Sequence, residues 1–182
     1  MKKIIILIAL NIYGLSAMAQ QITLKNSVTF NIPKGAEQIT QQQAIAHART
    51  KYNDSLVVGD YKGQRSDYMF KINDIVISVR VSNHSGSLNL KESYLSFKKG
   101  LDALVAYSGT PPYPSNIKRI NADTVITNYM RFGKAEYCYF YYFHGSSHAA
   151  RRVYGELEFD PADAAKAKAI LDDLLNSIKF VE

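Results

Sequence analysis

The C-terminal stretch from Glu136 to Phe180 constrains the fold of this chain most, because it predicts two strands that lead directly into a helix. In the first strand, between Tyr137 and Phe143, apolar and aromatic residues occupy both alternating sets of positions. Such a pattern is typical of a central strand that is covered on both faces. Gly145-Ser146-Ser147 predicts a turn after this strand.

The second strand of this stretch, Val153 to Phe159, alternates more clearly. Its pattern predicts one buried face and one wetter face, the wetter face being formed by Tyr154, Glu156 and Glu158.

The helix after these strands has a well-defined start. Asp160 is suited to the N-cap, and Pro161 suits the first helical position, where a missing N–H costs nothing. Apolar residues then recur at helical spacing and predict one buried stripe, which consists of Ala164, Ala167, Ile170, Leu171, Leu174, Leu175 and Ile178. We expect this stripe to pack on a sheet that contains the two preceding strands.

The N-terminus predicts export. Lys2 and Lys3 precede an apolar run from Ile4 to Leu10, and Ala17-Met18-Ala19 supplies small residues for a signal peptidase. Residues 1–19 are therefore predicted to be a cleavable signal peptide, and residues 20–182 a single periplasmic or secreted domain. An uncleaved anchor is the alternative. Because the apolar run is too short to span a bilayer comfortably, we expect no stable membrane insertion after cleavage.

Charge and cysteine content narrow the function classes. The chain has 22 Lys and Arg against 16 Asp and Glu, without a dense basic run, so we expect no nucleic-acid partner. Cys138 is the single cysteine and lies in the predicted central strand, which indicates a packed thiol. We find no phosphate loop, zinc-ligand spacing or paired carboxylates, so we predict no cofactor and no enzymatic activity.

The remaining chain alternates strands with helices. Its predicted elements are a hairpin of Gln21 to Leu24 and Val28 to Ile32, a helix near Thr40 to Tyr52, a hairpin of Tyr68 to Lys71 and Ile75 to Ser82, a polar loop from Ser82 to Ser87, a helix from Leu90 to Tyr107, and strands at Ile117 to Ile120 and Thr124 to Met130. The predicted fold class is therefore α+β, with a central, mostly antiparallel sheet flanked by helices in an α/β/α sandwich.

This order of elements resembles the Mog1/PsbP-like family, which includes bacterial DcrB-type proteins of the cell envelope. The likeness is carried by the hairpin end Phe30-Asn31-Ile32-Pro33, the last strand Tyr154-Gly155-Glu156-Leu157-Glu158-Phe159, and the helix end Ser177-Ile178-Lys179-Phe180. The resemblance implies a mostly antiparallel sheet with helices on both faces. It carries over no catalytic residue, and it implies a binding or assembly role.

Two segments are candidate binding sites. His144, His148, Arg151 and Arg152 surround the predicted Gly145 to Ser147 turn, where arginine side chains suit a carboxylate-bearing partner. A metal site lacks an acidic or cysteine neighbour in the sequence, so we predict no metal ligands; a solvated hairpin is the default alternative.

Tyr113 lies between prolines in the loop from Pro111 to Pro114 and is a candidate anchor for a partner. The alternative is a stiff surface loop with Tyr113 folded onto the domain.

The leading functional hypothesis is a non-catalytic exported binding or assembly module of the bacterial cell envelope, with a protein partner or an acidic envelope component as its ligand. The alternatives are a periplasmic immunity protein that neutralises a secreted toxin and, third, an envelope hydrolase.

Overall fold

Antiparallel sheets dominate the computed structural model, which describes residues 20–63, 66–89, 115–121, 123–144 and 148–181 and the single positions 92, 95, 98, 99, 102 and 103. The predicted signal peptide, the loop from Pro111 to Pro114 and the turn from Gly145 to Ser147 lie outside the described residues. The strands of the described part are β1 Gln21–Leu24, β2 Val28–Asn31, β3 Glu37–Gln38, β4 Tyr68–Ile72, β5 Ile75–Asn89, β6 Ser115–Ile120, β7 Asp123–Phe132, β8 Ala135–Phe143, β9 His148–Phe159 and β10 Lys179–Phe180.

The large sheet has the strand order β3-β4-β5-β9-β8-β7-β6, and its neighbouring strands all pair antiparallel. A small sheet has the order β1-β2-β10, in which the C-terminal β10 pairs with β2. The predicted α+β class is confirmed, and β8 is an inner strand, as its two apolar faces predict. The small sheet was not predicted, because β10 is only two residues long and has no recognisable period.

The helices of the described part are α1 Gln41–Tyr52, α2 Ser55–Gly63 and α3 Ala164–Ser177, the last preceded by a 3-10 turn at Pro161–Asp163. Thr40 caps α1 through a capping box with Gln43, and Asp160 accepts the Ala162 N–H at 2.9 Å. Within the described residues, no helix is long and apolar enough to cross a membrane.

Helix α2 was not predicted, because Asn53-Asp54-Ser55 is a sequence typical of a helix end. Asn53 does end α1, in the left-handed conformation with φ 46°. The Asp54 carboxylate then accepts the N–H of Leu56 at 2.9 Å and of Lys134 at 3.0 Å, so it starts α2 and ties it to the β7–β8 turn.

The helices cover both faces of the large sheet. On one face, the predicted stripe of α3 packs against side chains that include Phe140 and Leu157. On the other face, α1 and α2 pack against side chains that include Val76 and Tyr137. Burial of apolar area on both faces is the main stabilising contribution of such a layered fold.

The segment after Ser82 differs from its prediction. The predicted polar loop from Ser82 to Ser87 continues β5, which pairs with β9 as far as Asn89, with a register shift between Asn83 and Leu88. Strand pairing therefore overrides the polar composition of this segment.

The helix predicted from Leu90 to Tyr107 is helical at each position that is described there, and Lys98 pairs with Asp102 at 2.9 Å. The apolar residues that recur there at helical spacing lie outside the described residues; they are Leu90, Tyr94, Phe97, Leu101, Leu104 and Val105.

Candidate functional site

The face of β9 that was predicted to be wetter is buried where α1 and α2 lie over it. Glu156 is 9% exposed and Glu158 is 1% exposed. The prediction was wrong because the alternation of β9 separates two faces but does not show that α1 and α2 cover the polar one.

Glu158 accepts a hydrogen bond from the Tyr61 hydroxyl of α2. Burial raises the pKa of Glu158, and the hydrogen bond from Tyr61 and the charge of Lys51 oppose that rise. Its second oxygen, Oε1, is buried without a hydrogen-bond partner, as are the hydroxyls of Tyr52 and Tyr137. Unsatisfied groups of this kind are rare in protein interiors, because burying each of them without a partner costs free energy of folding.

Burial raises the pKa of Glu156 well above its ordinary value, and the nearby carboxyl group of Asp60 on α2 acts in the same direction. We call Asp60, Glu156 and Glu158 the acidic cluster. Its members come from α2 and β9, so it forms only when α2 packs on the sheet.

A surface of aromatic and guanidinium groups lies beside the acidic cluster. The Tyr154 ring has the Arg80 guanidinium 5.6 Å from its centroid and the Arg152 guanidinium at 5.4 Å. Tyr141 stacks on Tyr154 with 6.0 Å between ring centroids and 10° between planes. We call Arg80, Tyr141, Arg152 and Tyr154 the tyrosine–arginine surface.

Strand register brings this surface together. Tyr154 of β9 lies directly opposite Arg80 of β5 and Tyr141 of β8, and Arg152 is two residues from Tyr154 on the same face. Gly155 permits the close approach of β5, since a Cβ at this position would lie 1.9 Å from the Ser78 carbonyl oxygen.

The tyrosine–arginine surface and the acidic cluster meet in a hollow of about 200 Å³. Its lining residues come from β5, β8, β9 and the segment before β4, and they are Ser66, Ser78, Arg80, Tyr139, Tyr141, Tyr154, Gly155 and Glu156. Among the residues that the structure describes, neither Arg80 nor Arg152 forms an ion pair with a carboxylate. Arg152 Nε is buried and has no acceptor.

The residues predicted around the hairpin turn lie on different faces of the sheet. His144 is exposed, with its Nδ1 3.1 Å from Asp123 Oδ1 and its ring centroid 4.6 Å from that of Phe180. Arg151 also lies over Phe180 and donates to the Val181 carbonyl at 2.5 Å. These two side chains therefore contact the C-terminal segment of the chain itself.

Arg152 points to the opposite face and belongs to the tyrosine–arginine surface, because neighbouring residues of a strand face opposite sides. His148 pairs with Asn89 through the backbone register of β9, and nothing further is described of its side chain. Tyr113 lies outside the described residues.

The acidic neighbour of His144 was not evident from the sequence, because Asp123 lies on another strand. In the described part of the chain, no group of three or more histidine, cysteine, aspartate or glutamate side chains could hold a metal ion. Cys138 is a packed thiol as predicted: it is buried, and burial raises its pKa to about 12.

Sequence analysis missed the acidic cluster, Arg80, Tyr141 and Tyr154 as site residues. The available signal was the pair Glu156 and Glu158 at alternate positions of a strand that neighbours an aromatic one. That pair indicates a polar face of β9. Arg80 lies on the same face of the sheet only because β5 is the neighbour of β9, which the sequence does not show.

Comparisons with known proteins support the fold. No protein-family model and no curated protein sequence matches the chain. The solution structure of cyanobacterial PsbP (CyanoP) from Synechocystis sp. PCC 6803 is similar, with a TM-score of 0.57 and 12% sequence identity over 91% of this chain and 94% of that chain. The domain therefore has a PsbP-like fold, as the resemblance in the sequence implies.

Proposed function

We propose that this protein is an exported, non-catalytic binding or assembly module of the bacterial cell envelope, akin to the DcrB-type proteins. In this proposal, the tyrosine–arginine surface binds a carboxylate-bearing segment of a partner protein. The observation that carries it is the stack of Arg80, Tyr154 and Arg152, in which two guanidinium groups flank one half-buried ring.

The chemistry of this surface favours an acidic protein segment. Arginine binds carboxylates through paired N–H donors, and it is more weakly hydrated than lysine, so it loses less on being buried at an interface. Tyr141 and Tyr154 supply rigid apolar area next to those donors, and Tyr and Arg are enriched among the residues that dominate interface energies. Without Lys2 and Lys3 of the predicted signal peptide, 20 Lys and Arg remain against 16 Asp and Glu, and this net charge of +4 favours the approach of an acidic partner.

The test uses an isolated peptide that combines glutamates with one tyrosine, and the same peptide with glutamines in place of the glutamates. Binding is measured by fluorescence anisotropy for the wild type, for the double variant Arg80→Ala/Arg152→Ala and for a matched control, Arg49→Ala/Arg119→Ala. Arg49 and Arg119 are exposed, so the control removes the same charge from elsewhere.

We expect the wild type and the control to prefer the acidic peptide, and the Arg80/Arg152 variant to lose about tenfold or more in affinity, which corresponds to about 1.4 kcal/mol. If both double variants lose the same affinity, general charge attraction explains the binding and this surface is not the site. Tyr113→Ala, and alanine variants of His144, His148 and Arg151, test in the same assay whether the predicted loop and hairpin residues contribute.

A further inference from the structure

Strand register fixes the spacing of the two arginines in the tyrosine–arginine surface. Arg80 of β5 lies directly opposite Tyr154, and Arg152, two residues before Tyr154 on β9, lies opposite Ser82. Arg80 and Arg152 are therefore diagonal neighbours on adjacent antiparallel strands. The Cα atoms of such neighbours are about 7–8 Å apart. Because both residues lie within paired strands, the sheet itself sets this spacing.

Both arginine side chains lie on one face of the sheet and contact the same ring. The guanidinium carbon of Arg80 is 5.6 Å from the ring centroid of Tyr154, and that of Arg152 is 5.4 Å from it. Attraction between each cation and the ring holds both guanidinium groups close to Tyr154. Their separation is therefore of the same order as the separation of their Cα atoms.

Two positive charges at this spacing favour a ligand with two negative charges. Arg80 and Arg152 repel each other, and within the described chain neither forms an ion pair with a carboxylate. One ligand carboxylate can neutralise one guanidinium group, and a second carboxylate removes the remaining charge. Each guanidinium group can bind its carboxylate through two parallel N–H donors.

The backbone of the ligand decides whether two carboxylates reach both arginines. In an extended segment, residues i and i+2 point to the same side and are about 7 Å apart, which matches the spacing of the arginines. Adjacent residues point to opposite sides, so only one of them can face the surface. A helix is a poorer match, because like charges at positions i and i+4 destabilise it.

We infer that the tyrosine–arginine surface recognises an extended segment of a partner protein that has acidic residues at positions i and i+2. One carboxylate binds Arg80 and the other binds Arg152, while the backbone between them passes over Tyr154. The side chain at position i+1 points away from the sheet, so its identity does not affect binding. This inference rests on the proposed function and adds the spacing of the acidic residues in the partner.

The test compares fluorescein-labelled peptides that have two aspartates in a run of threonines. The aspartates are at alternate, at adjacent or at i and i+4 positions, and a fourth peptide has asparagine in place of one aspartate of the alternate pair. Aspartate has a short side chain, so the backbone sets the spacing of the carboxylates, and threonine favours extended conformations.

Fluorescence anisotropy at constant ionic strength measures the affinity of each peptide for the wild type, Arg80→Ala, Arg152→Ala and Arg49→Ala. Arg49 is an exposed arginine of α1, so Arg49→Ala is the matched control for loss of one positive charge. Circular dichroism shows whether each variant is folded. The comparison of the peptides on the wild type needs no variant, so a misfolded variant leaves the spacing testable.

We expect the wild type and Arg49→Ala to bind the alternate peptide about three- to fivefold more tightly than each of the other peptides, since only this peptide brings a carboxylate to each arginine. The preference should disappear in Arg80→Ala and in Arg152→Ala, because a single arginine of the pair can bind only one of the two carboxylates.

Equal affinity of the wild type for the alternate and adjacent peptides, or for the alternate and single-aspartate peptides, would overturn the spacing and leave the binding proposal intact. Tightest binding of the i and i+4 peptide would overturn it as well and would indicate a helical partner. A preference that persists in both folded single-arginine variants would show that other residues read the spacing, which contradicts the inference. If neither these peptides nor the glutamate peptide binds the wild type, the binding proposal and the spacing both fail.

Discussion

Removing the Tyr61 hydroxyl tests whether the contact between α2 and β9 is a buried hydrogen bond that stabilises the fold. Tyr61 is 1% exposed and donates to Glu158, which is itself 1% exposed. Tyr61→Phe keeps the ring and removes only the hydroxyl. It leaves both oxygens of Glu158 without a hydrogen bond, since Oε1 is already unpaired.

The expected loss follows from the cost of an unsatisfied buried acceptor, about 1–3 kcal/mol, so we expect Tyr61→Phe to lower the free energy of unfolding by about 2 kcal/mol. For a domain of this size, 1 kcal/mol corresponds to about 2–4 °C in Tm, so the variant should melt about 4–8 °C below the wild type. Urea unfolding followed by circular dichroism, with calorimetry for Tm, measures both quantities.

Tyr137→Phe is the matched control, because it removes a hydroxyl from the same cluster with the opposite expected result. Tyr137 is fully buried, and its hydroxyl has no hydrogen-bond partner. Its removal should leave stability unchanged or raise it by about 1 kcal/mol, since an unsatisfied buried group is lost. The reasoning is refuted if the two variants lose stability equally, or if Tyr61→Phe changes it by less than about 0.5 kcal/mol.

Three further predictions concern stability. Leu171→Asp, in the buried stripe of α3, should lower it by several kcal/mol, because an unpaired carboxylate would be buried; a wild-type urea midpoint would contradict that stripe. Gly155→Ala should cost about 3 kcal/mol or more, since the new methyl group would displace the β5 backbone at Ser78, whereas Gly59→Ala, with no atom within 4 Å, should be nearly neutral; equal midpoints for the two variants would refute the steric argument. Because the pKa of Glu156 is raised, its contribution to stability should be complete below its ordinary value of 4.5 and be lost as the pH rises toward and through its folded pKa. Urea midpoints across that range should therefore decline less in Glu156→Gln, and equal slopes would contradict the assignment.

Strand β9 shows that an alternating pattern identifies a strand and its two faces, but not what covers each face. Alternation identified the strand and separated Val153, Leu157 and Phe159 from Glu156 and Glu158. It could not show that the polar face is covered, because the covering helix α2 comes from a segment more than 90 residues earlier in the chain. Helix α2 is only nine residues long, and its apolar residues follow no clear helical period, so the sequence did not predict it.

The predicted hairpin cations show the same limit. Strand periodicity separates Arg151 from Arg152 in principle, but the side-chain contacts depend on which elements lie over each face. Arg151 meets Phe180 of β10, and Arg152 meets Tyr154. The proximity of Arg151 to Phe180 depends on the pairing of β10 with β2, whereas Arg152 and Tyr154 lie two residues apart on one face of β9.

What the sequence by itself determined is local: the caps of α1 and of the turn before α3, the buried stripe of α3, the hairpins, and hence an α+β domain with a central β8. These features depend on side chains a few residues apart, where backbone geometry sets which residues share a face. Only the tertiary structure decided that Glu156 and Glu158 are buried, that Asp60 lies near Glu156, and that Arg80, Tyr141, Arg152 and Tyr154 form one surface. The physical reason is that burial and pKa depend on which distant segments exclude water from a group, and a strand's periodicity carries no information about which segments those are.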